Sequence, residues 1–223
     1  MYRGCAHACV YCFAPSATRT DRVLFSKESY IRPRQLVLEQ LNKDAISMAG
    51  DHRPILLSFT SDAYQPLEKK IGITRKALEI LALNGLTPQI LTKAGPWSIQ
   101  RDADILSRCG GIWAATLTTD DPATSSEWEP LAALPSDRIE ALRLAKLAGL
   151  QTWVSFEPVI DPEAVYRLIE ATKDFVDLYK VGKLNYHPHS QIIDWPDFRD
   201  TTIAILEQFG KKYYIKNDLA AAV

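Results

Sequence analysis

The chain has 223 residues, 47% of them hydrophobic, and a formal net charge of −1. That length suits one large domain or two small ones with a packed core. A near-neutral chain has no global basic field to attract a nucleic-acid backbone or an anionic membrane, so any nucleic-acid contact must come from a local patch.

Four cysteines, three of them clustered, do not form the evenly paired set of a small secreted protein and fit a reducing cytoplasm. No apolar stretch reaches about 18 residues and no charged-then-apolar leader is present, so neither a membrane span nor a secretory signal is expected.

The chain opens with MYRGCAHACVYCFAPSATR, which places Cys5, Cys9 and Cys12 in a C-x3-C-x2-C pattern. Three thiolates from one short loop hold three corners of a cluster or of a tetrahedral ion and leave one position open, as catalytic metal sites do. Structural zinc sites usually carry two C-x2-C pairs, and no second pair appears here. His7 reads as an exposed loop histidine, and the distant Cys109 as a small core residue. Arg19, Arg22, Lys27, Arg32 and Arg34 follow the loop and could guide a phosphate backbone. Asp21 and Glu28 interrupt them, so the group is read as a solvated face.

Helical periodicity is expected over 34–48, where Leu36, Leu38, Leu41 and Ile46 recur, and then over 74–84, 98–109, 136–148 and 162–173. Between these lie strand-like apolar runs at 55–59, 89–92, 112–118, 152–156 and 178–181. Strand and helix alternate at the length of a βα unit, which predicts a parallel sheet. Polar clusters follow successive strands: Thr60-Ser61-Asp62, Thr92-Lys93, Thr118-Thr119-Asp120, Glu157-Pro158 and Lys183-Leu184-Asn185. In a βα barrel these ends gather on one face, where active sites are built, and a barrel is preferred for that reason. From Trp195 the chain reads as one more helix and a strand at 212–215.

Several residues keep bland readings beside the functional ones. Tyr11 is core or packs against a ligand, Asp62 caps a helix or faces a site, and Lys93 is a solvated loop lysine or a ligand contact. Thr116, Thr118 and Thr119 are ordinary β-branched strand residues on composition alone. Glu129 and Arg138 either form a structural ion pair, the preferred reading, or lie near a bound ligand. Lys180, Lys183 and Asn185 are candidates for contacts to an anionic substrate. His187 and His189 form either a metal tract or a turn around Pro188.

The loop Cys5-Ala-His-Ala-Cys9-Val-Tyr11-Cys12 resembles the radical S-adenosylmethionine superfamily, whose mark is C-x3-C-x2-C with an aromatic residue before the third cysteine. With "LSFTSDAYQPLE" and "LTKA" it resembles, over nearly the whole chain, the branch related to spore photoproduct lyase and often labelled DNA repair photolyase. The resemblance implies a partial (β/α)6 TIM-like barrel, a single domain over 1–223 with the cluster loop at 1–20, the barrel at about 21–190 and a C-terminal helix and strand at about 195–216. Because only residues 1–4 precede the cluster loop, the first strand is expected to be short or truncated.

The same resemblance implies that Cys5, Cys9 and Cys12 bind a [4Fe-4S] cluster and that Tyr11, Ser61, Asp62, Lys93, Thr118 and Glu157 contact S-adenosylmethionine. It implies a cytoplasmic, lyase-like enzyme that cleaves S-adenosylmethionine reductively to a 5′-deoxyadenosyl radical for hydrogen abstraction, drawing on a flavodoxin- or ferredoxin-like electron donor. A nucleic-acid lesion is one candidate substrate. Spore photoproduct lyases carry a hydrogen-donating cysteine two residues before the serine that matches Ser61; here the position is Phe59, which argues against thymine-dimer reversal by that route. A rival reading is a non-catalytic iron-sulfur or zinc binding module.

Overall fold

A computed structural model describes residues 1–222. Six parallel strands pair in chain order: β3 (Ile55–Leu56), β4 (Pro88–Thr92), β5 (Ile112–Thr116), β6 (Gln151–Phe156), β7 (Leu178–Val181) and β8 (Lys212–Ile215). A doubly wound sheet reverses its strand order at a switch point. This one does not, which is the winding of a partial barrel. The strands are apolar on both faces because helices cover the outer one, and Trp113, Val154, Phe156, Tyr179 and Val181 lie in one continuous core.

The membership of the sheet differs from expectation at both edges. The amino-terminal β1 (Tyr2–Arg3) pairs antiparallel with β2 (Arg32–Pro33) and stands outside the parallel sheet. At the other edge β8 adds to β7 in register from Leu178↔Lys212 to Val181↔Ile215. The run expected over 55–59 stops at Leu56, because Ser58 turns the chain with φ of 64° and throws Phe59 outward.

The helices are α1 (Ala14–Ala17), α2 (Arg22–Phe25), α3 (Val37–Ser47), α4 (Glu68–Ile71), α5 (Ile73–Leu83), α6 (Pro96–Arg108), α7 (Pro122–Trp128), α8 (Pro135–Leu147), α9 (Pro162–Thr172), α10 (Trp195–Gln208) and α11 (Asn217–Ala220). Each of α6 to α10 has proline in its first turn, where the missing N–H costs no bond. Asp121, Asp161 and Asp194 cap α7, α9 and α10 by accepting from Thr124, Glu163 and Asp197 N–H groups. Helix α7 was not expected from the apolar pattern, since its seven residues PATSSEW have no amphipathic period; the Asp121-Pro122 start was its legible signal. No helix among the described residues is long and apolar enough to cross a membrane.

Candidate active site

The cysteine loop lies across the mouth of the partial barrel, held from three sides by backbone contacts. Gly4 turns into it with φ of 77°, and a Cβ there would meet the Phe25 carbonyl oxygen at 2.6 Å. The Ala6 N–H donates to Gln65 Oε1 at 2.9 Å, Val10 N–H donates to the Trp128 carbonyl at 2.9 Å, and Leu131 N–H donates to the His7 carbonyl at 3.3 Å. Outside the loop, the Arg22 guanidinium donates to the carbonyls of Cys9, Val10 and Cys12 at 3.3, 3.0 and 2.8 Å. The loop is therefore fixed by its main chain, and its cysteine, His7 and Tyr11 side chains are left to face inward.

They face a cavity of about 680 Å³ lined by all three cysteines together with His7, Tyr11, Ser61, Asp62, Lys93 and Glu157. Four of the five strand-end clusters supply its walls, as the barrel reading required; Thr118-Thr119-Asp120 is the exception. All three thiols are free. Burial pushes the Cys5 thiol up to about 12 and the Cys9 thiol up to about 11, so both surrender a proton when a cation binds.

Asp62 is a brace rather than a free carboxylate. Its Oδ1 accepts from Tyr64 N–H at 2.8 Å and from the Thr92 hydroxyl at 2.7 Å, and its Oδ2 accepts from Lys93 N–H at 2.8 Å. His7, expected to be exposed, is 3% accessible with Nδ1 at 3.4 Å from Asp62 Oδ2. The correction has a plain cause: the loop folds inward over the strand ends and buries the imidazole, which lowers its pKa despite the adjacent Asp62.

Behind the loop sits a buried charge cluster. Glu129, at the end of α7, accepts from the Tyr11 hydroxyl and pairs with Arg138 Nη1 at 2.5 Å and with Lys93 Nζ at 3.9 Å. Burial would raise the Glu129 carboxyl, but the charges of Arg138 and Lys93 outweigh it and hold its pKa low. The expected Glu129–Arg138 ion pair forms, and it is also joined to the site through Tyr11 and Lys93, so the two readings weighed for it do not exclude each other. On the opposite wall Glu157 pairs with Lys216. Gly182 makes room for that pair, since a Cβ would stand 3.0 Å from both Glu157 Oε1 and Lys216 Cδ. Gln65, Trp128, Gly182 and Lys216 were not singled out from the sequence; only the Gln65 string carried a signal.

Thr118 does not line the cavity. Strand β5 ends at Thr116, whose side chain does, and two residues later the Thr118 hydroxyl is buried with no hydrogen-bond partner among the described residues. Lys180, Lys183 and Asn185 do reach the cavity wall. Lys180 Nζ lies 4.0 Å over the Trp153 ring. His187 caps a short 3₁₀ turn at Pro188–Ile192 and His189 Nε2 contacts the Ile160 carbonyl at 2.9 Å, so the turn reading holds for that pair.

The donor set fits an iron–sulfur cluster: three thiols from one loop, thiolates being the usual ligands of such clusters. The buried Ser61 hydroxyl on the same cavity has no partner among the described residues, as expected of a group awaiting a ligand. No three His, Cys, Asp or Glu side chains among the described residues converge on a single-ion site.

No known protein-family model matches the chain. By sequence it is 28% identical over 188 residues to an uncharacterized protein of Methanocaldococcus jannaschii, covering 83% of this chain and 69% of that one. Other uncharacterized relatives are longer: the chain spans 55% of one from Acidianus two-tailed virus and 48% of one from Mycobacterium tuberculosis. By structure it is similar to a spore photoproduct lyase variant, with a TM-score of 0.73 at 15% identity over 96% of this chain and 74% of that one. It is also similar to Streptococcus suis SuiB bound to S-adenosylmethionine, with a TM-score of 0.69 at 13% identity over 96% of this chain and 48% of that one. The chain thus has the radical S-adenosylmethionine fold, in the partial-barrel form that spore photoproduct lyase also carries.

Proposed function

We propose that this chain is a radical S-adenosylmethionine enzyme, in which Cys5, Cys9 and Cys12 hold a [4Fe-4S] cluster and the adjoining cavity receives S-adenosylmethionine. One observation carries the reading: the three thiols of the C-x3-C-x2-C loop open into the same cavity as Ser61, Lys93 and Glu157, which follow the parallel strands β3, β4 and β6. When bound, that pair of groups supplies one-electron cleavage of the sulfonium and a carbon radical that abstracts hydrogen from substrate. The similar structures support the cofactor: SuiB is bound to S-adenosylmethionine, and a spore photoproduct lyase variant has bound S-adenosylmethionine with a dinucleoside spore photoproduct.

The chain's own residues have separable tasks in this reading. Tyr11 and Lys93, tied to Glu129, set one wall; Asp62 holds the Lys93 backbone and His7 in place; and Glu157 with Lys216 sets the other. Phe59 is exposed at the mouth and its ring centroid is 5.6 Å from that of Phe13, so this position offers aromatic contact and no thiol hydrogen. The substrate is therefore one whose turnover takes its hydrogen from elsewhere. A cytoplasmic setting and a flavodoxin- or ferredoxin-like electron donor complete the proposal.

The test is anaerobic. Reconstituted protein reduced with dithionite should give a [4Fe-4S]+ EPR signal that shifts on adding S-adenosylmethionine, and should release 5′-deoxyadenosine. Cys12→Ala should abolish both. A signal that ignores S-adenosylmethionine, or one zinc per chain in place of iron, sinks the reading.

A further inference from the structure

The arginines divide along the chain into two groups. Every arginine from Arg53 to Arg199 lies within 4.0 Å of a carboxylate oxygen. Among the described residues none of the five before them, Arg3, Arg19, Arg22, Arg32 and Arg34, has such a partner. Residues 1–35 carry six Lys or Arg against two Asp or Glu, in a chain whose net charge is −1. Among the described residues, arginine without a carboxylate partner is thus confined to the segment that holds the cysteine loop.

Three of these arginines converge. Arg3, Arg32 and Arg34 line a cleft of about 600 Å³ with Thr18, Tyr30 and Thr60, and no Asp or Glu lines it. Arg3 and Arg32 are direct cross-strand partners in the β1–β2 pair. Like charges placed opposite one another across strands repel, and an anion between them removes the penalty. The cleft is also shaped. Arg3 Nε donates to the Tyr30 phenol oxygen at 2.7 Å with its guanidinium 4.5 Å over that ring, and Arg34 donates to the Tyr2 carbonyl and the Thr60 hydroxyl, both at 3.3 Å. The Arg32 guanidinium makes no hydrogen bond to protein among the described residues and keeps all its donors.

A wall of guanidinium forks and hydroxyls with no acidic group matches a tetrahedral, multiply charged acceptor. We propose that this cleft is a phosphate-binding site. Thr60 lines both it and the cysteine cavity, so the phosphate sits beside the mouth of that cavity. The proposal does not depend on the cluster chemistry, and apo protein suffices to test it.

Titration calorimetry of the full chain with pyrophosphate, a short single-stranded oligonucleotide and poly-glutamate provides the test. Pyrophosphate should bind saturably at one site. Arg32→Gln should weaken it by about tenfold or more, as expected for a lost charge-assisted contact. Arg32→Lys should weaken it less, and Arg53→Gln, whose guanidinium is paired with Asp51, should leave it unchanged. An oligonucleotide that binds more tightly than pyrophosphate, with affinity falling steeply with salt, identifies the source as a nucleic-acid strand. Equal affinity identifies a small phosphate ligand, and either result upholds the site. No saturable binding of either phosphate probe, binding indifferent to Arg32, or binding of poly-glutamate alone overturns it. The last result would assign the cleft to an acidic protein.

Discussion

Tyr11 and Glu129 stand 118 positions apart in the chain, yet the Tyr11 hydroxyl donates to the Glu129 carboxylate behind the cysteine loop. This bond makes the loop's conformation depend on α7 and α8, because Glu129 is itself held by the fully buried Arg138. Removing one partner of a buried pair leaves the other charge uncompensated, at a cost of about 3–5 kcal/mol. Glu129→Gln is therefore expected to lose stability of that order in urea unfolding of the apo protein. Tyr11→Phe removes one hydrogen bond and should cost about 1–3 kcal/mol. Equal and negligible effects of the two would mean that the cluster does not bear on folding.

Asp62 accepts three hydrogen bonds from groups on two segments and faces His7. Asp62→Ala leaves the buried Lys93 N–H and Thr92 hydroxyl without an acceptor, each worth about 1–3 kcal/mol. The variant should melt lower and incorporate less iron on reconstitution, because His7 and the loop lose their support. Asp62→Asn keeps one carbonyl oxygen and should fall between wild type and Asp62→Ala. Iron content matching wild type in both variants would show that the loop needs no brace from this residue.

Gly4→Ala separates the loop from the barrel. The new Cβ meets a backbone oxygen at 2.6 Å in a left-handed conformation, which side-chain-bearing residues adopt at a cost of about 1–2 kcal/mol even without the clash. The six-stranded sheet begins at Ile55 and does not include this segment. Circular dichroism should therefore report an intact barrel while iron uptake falls several-fold. Loss of the whole fold would contradict the separation.

Much of this was legible from residue order, for reasons that differ by region. The alternation of apolar runs and helices exposed the parallel sheet, since strands buried on both faces read as continuous apolar segments. The cysteine spacing, Ser61 and Lys93 marked the cavity because strand ends of a barrel converge. His7 was misread because burial of a loop residue depends on the loop's trajectory, and no local pattern encodes that. Thr118 was misplaced because β5 ends two residues earlier than its β-branched run suggests. Trp128 and Gly182 were invisible: one contributes a backbone carbonyl and the other an absence of side chain, and neither leaves a periodic signature.

Acid sensitivity should trace in part to Asp177, which joins α8 to β6. Burial would raise its carboxyl, but hydrogen bonds from Lys146 Nζ at 2.5 Å and Thr152 N–H at 2.9 Å hold its pKa below the usual range. A carboxylate depressed in the folded state stabilises above its unfolded pKa of about 4 and loses that contribution as pH falls through the folded value. Because the Lys146 and Asp177 side chains are 40% and 42% exposed, solvent limits the effect to about 1 kcal/mol or less. Urea unfolding of wild type and Asp177→Asn should therefore differ by a constant margin from pH 5 to pH 8 and converge below about pH 4. A margin that instead widens as pH falls would mean that the folded state prefers Asp177 protonated, reversing the sign argued from its hydrogen bonds.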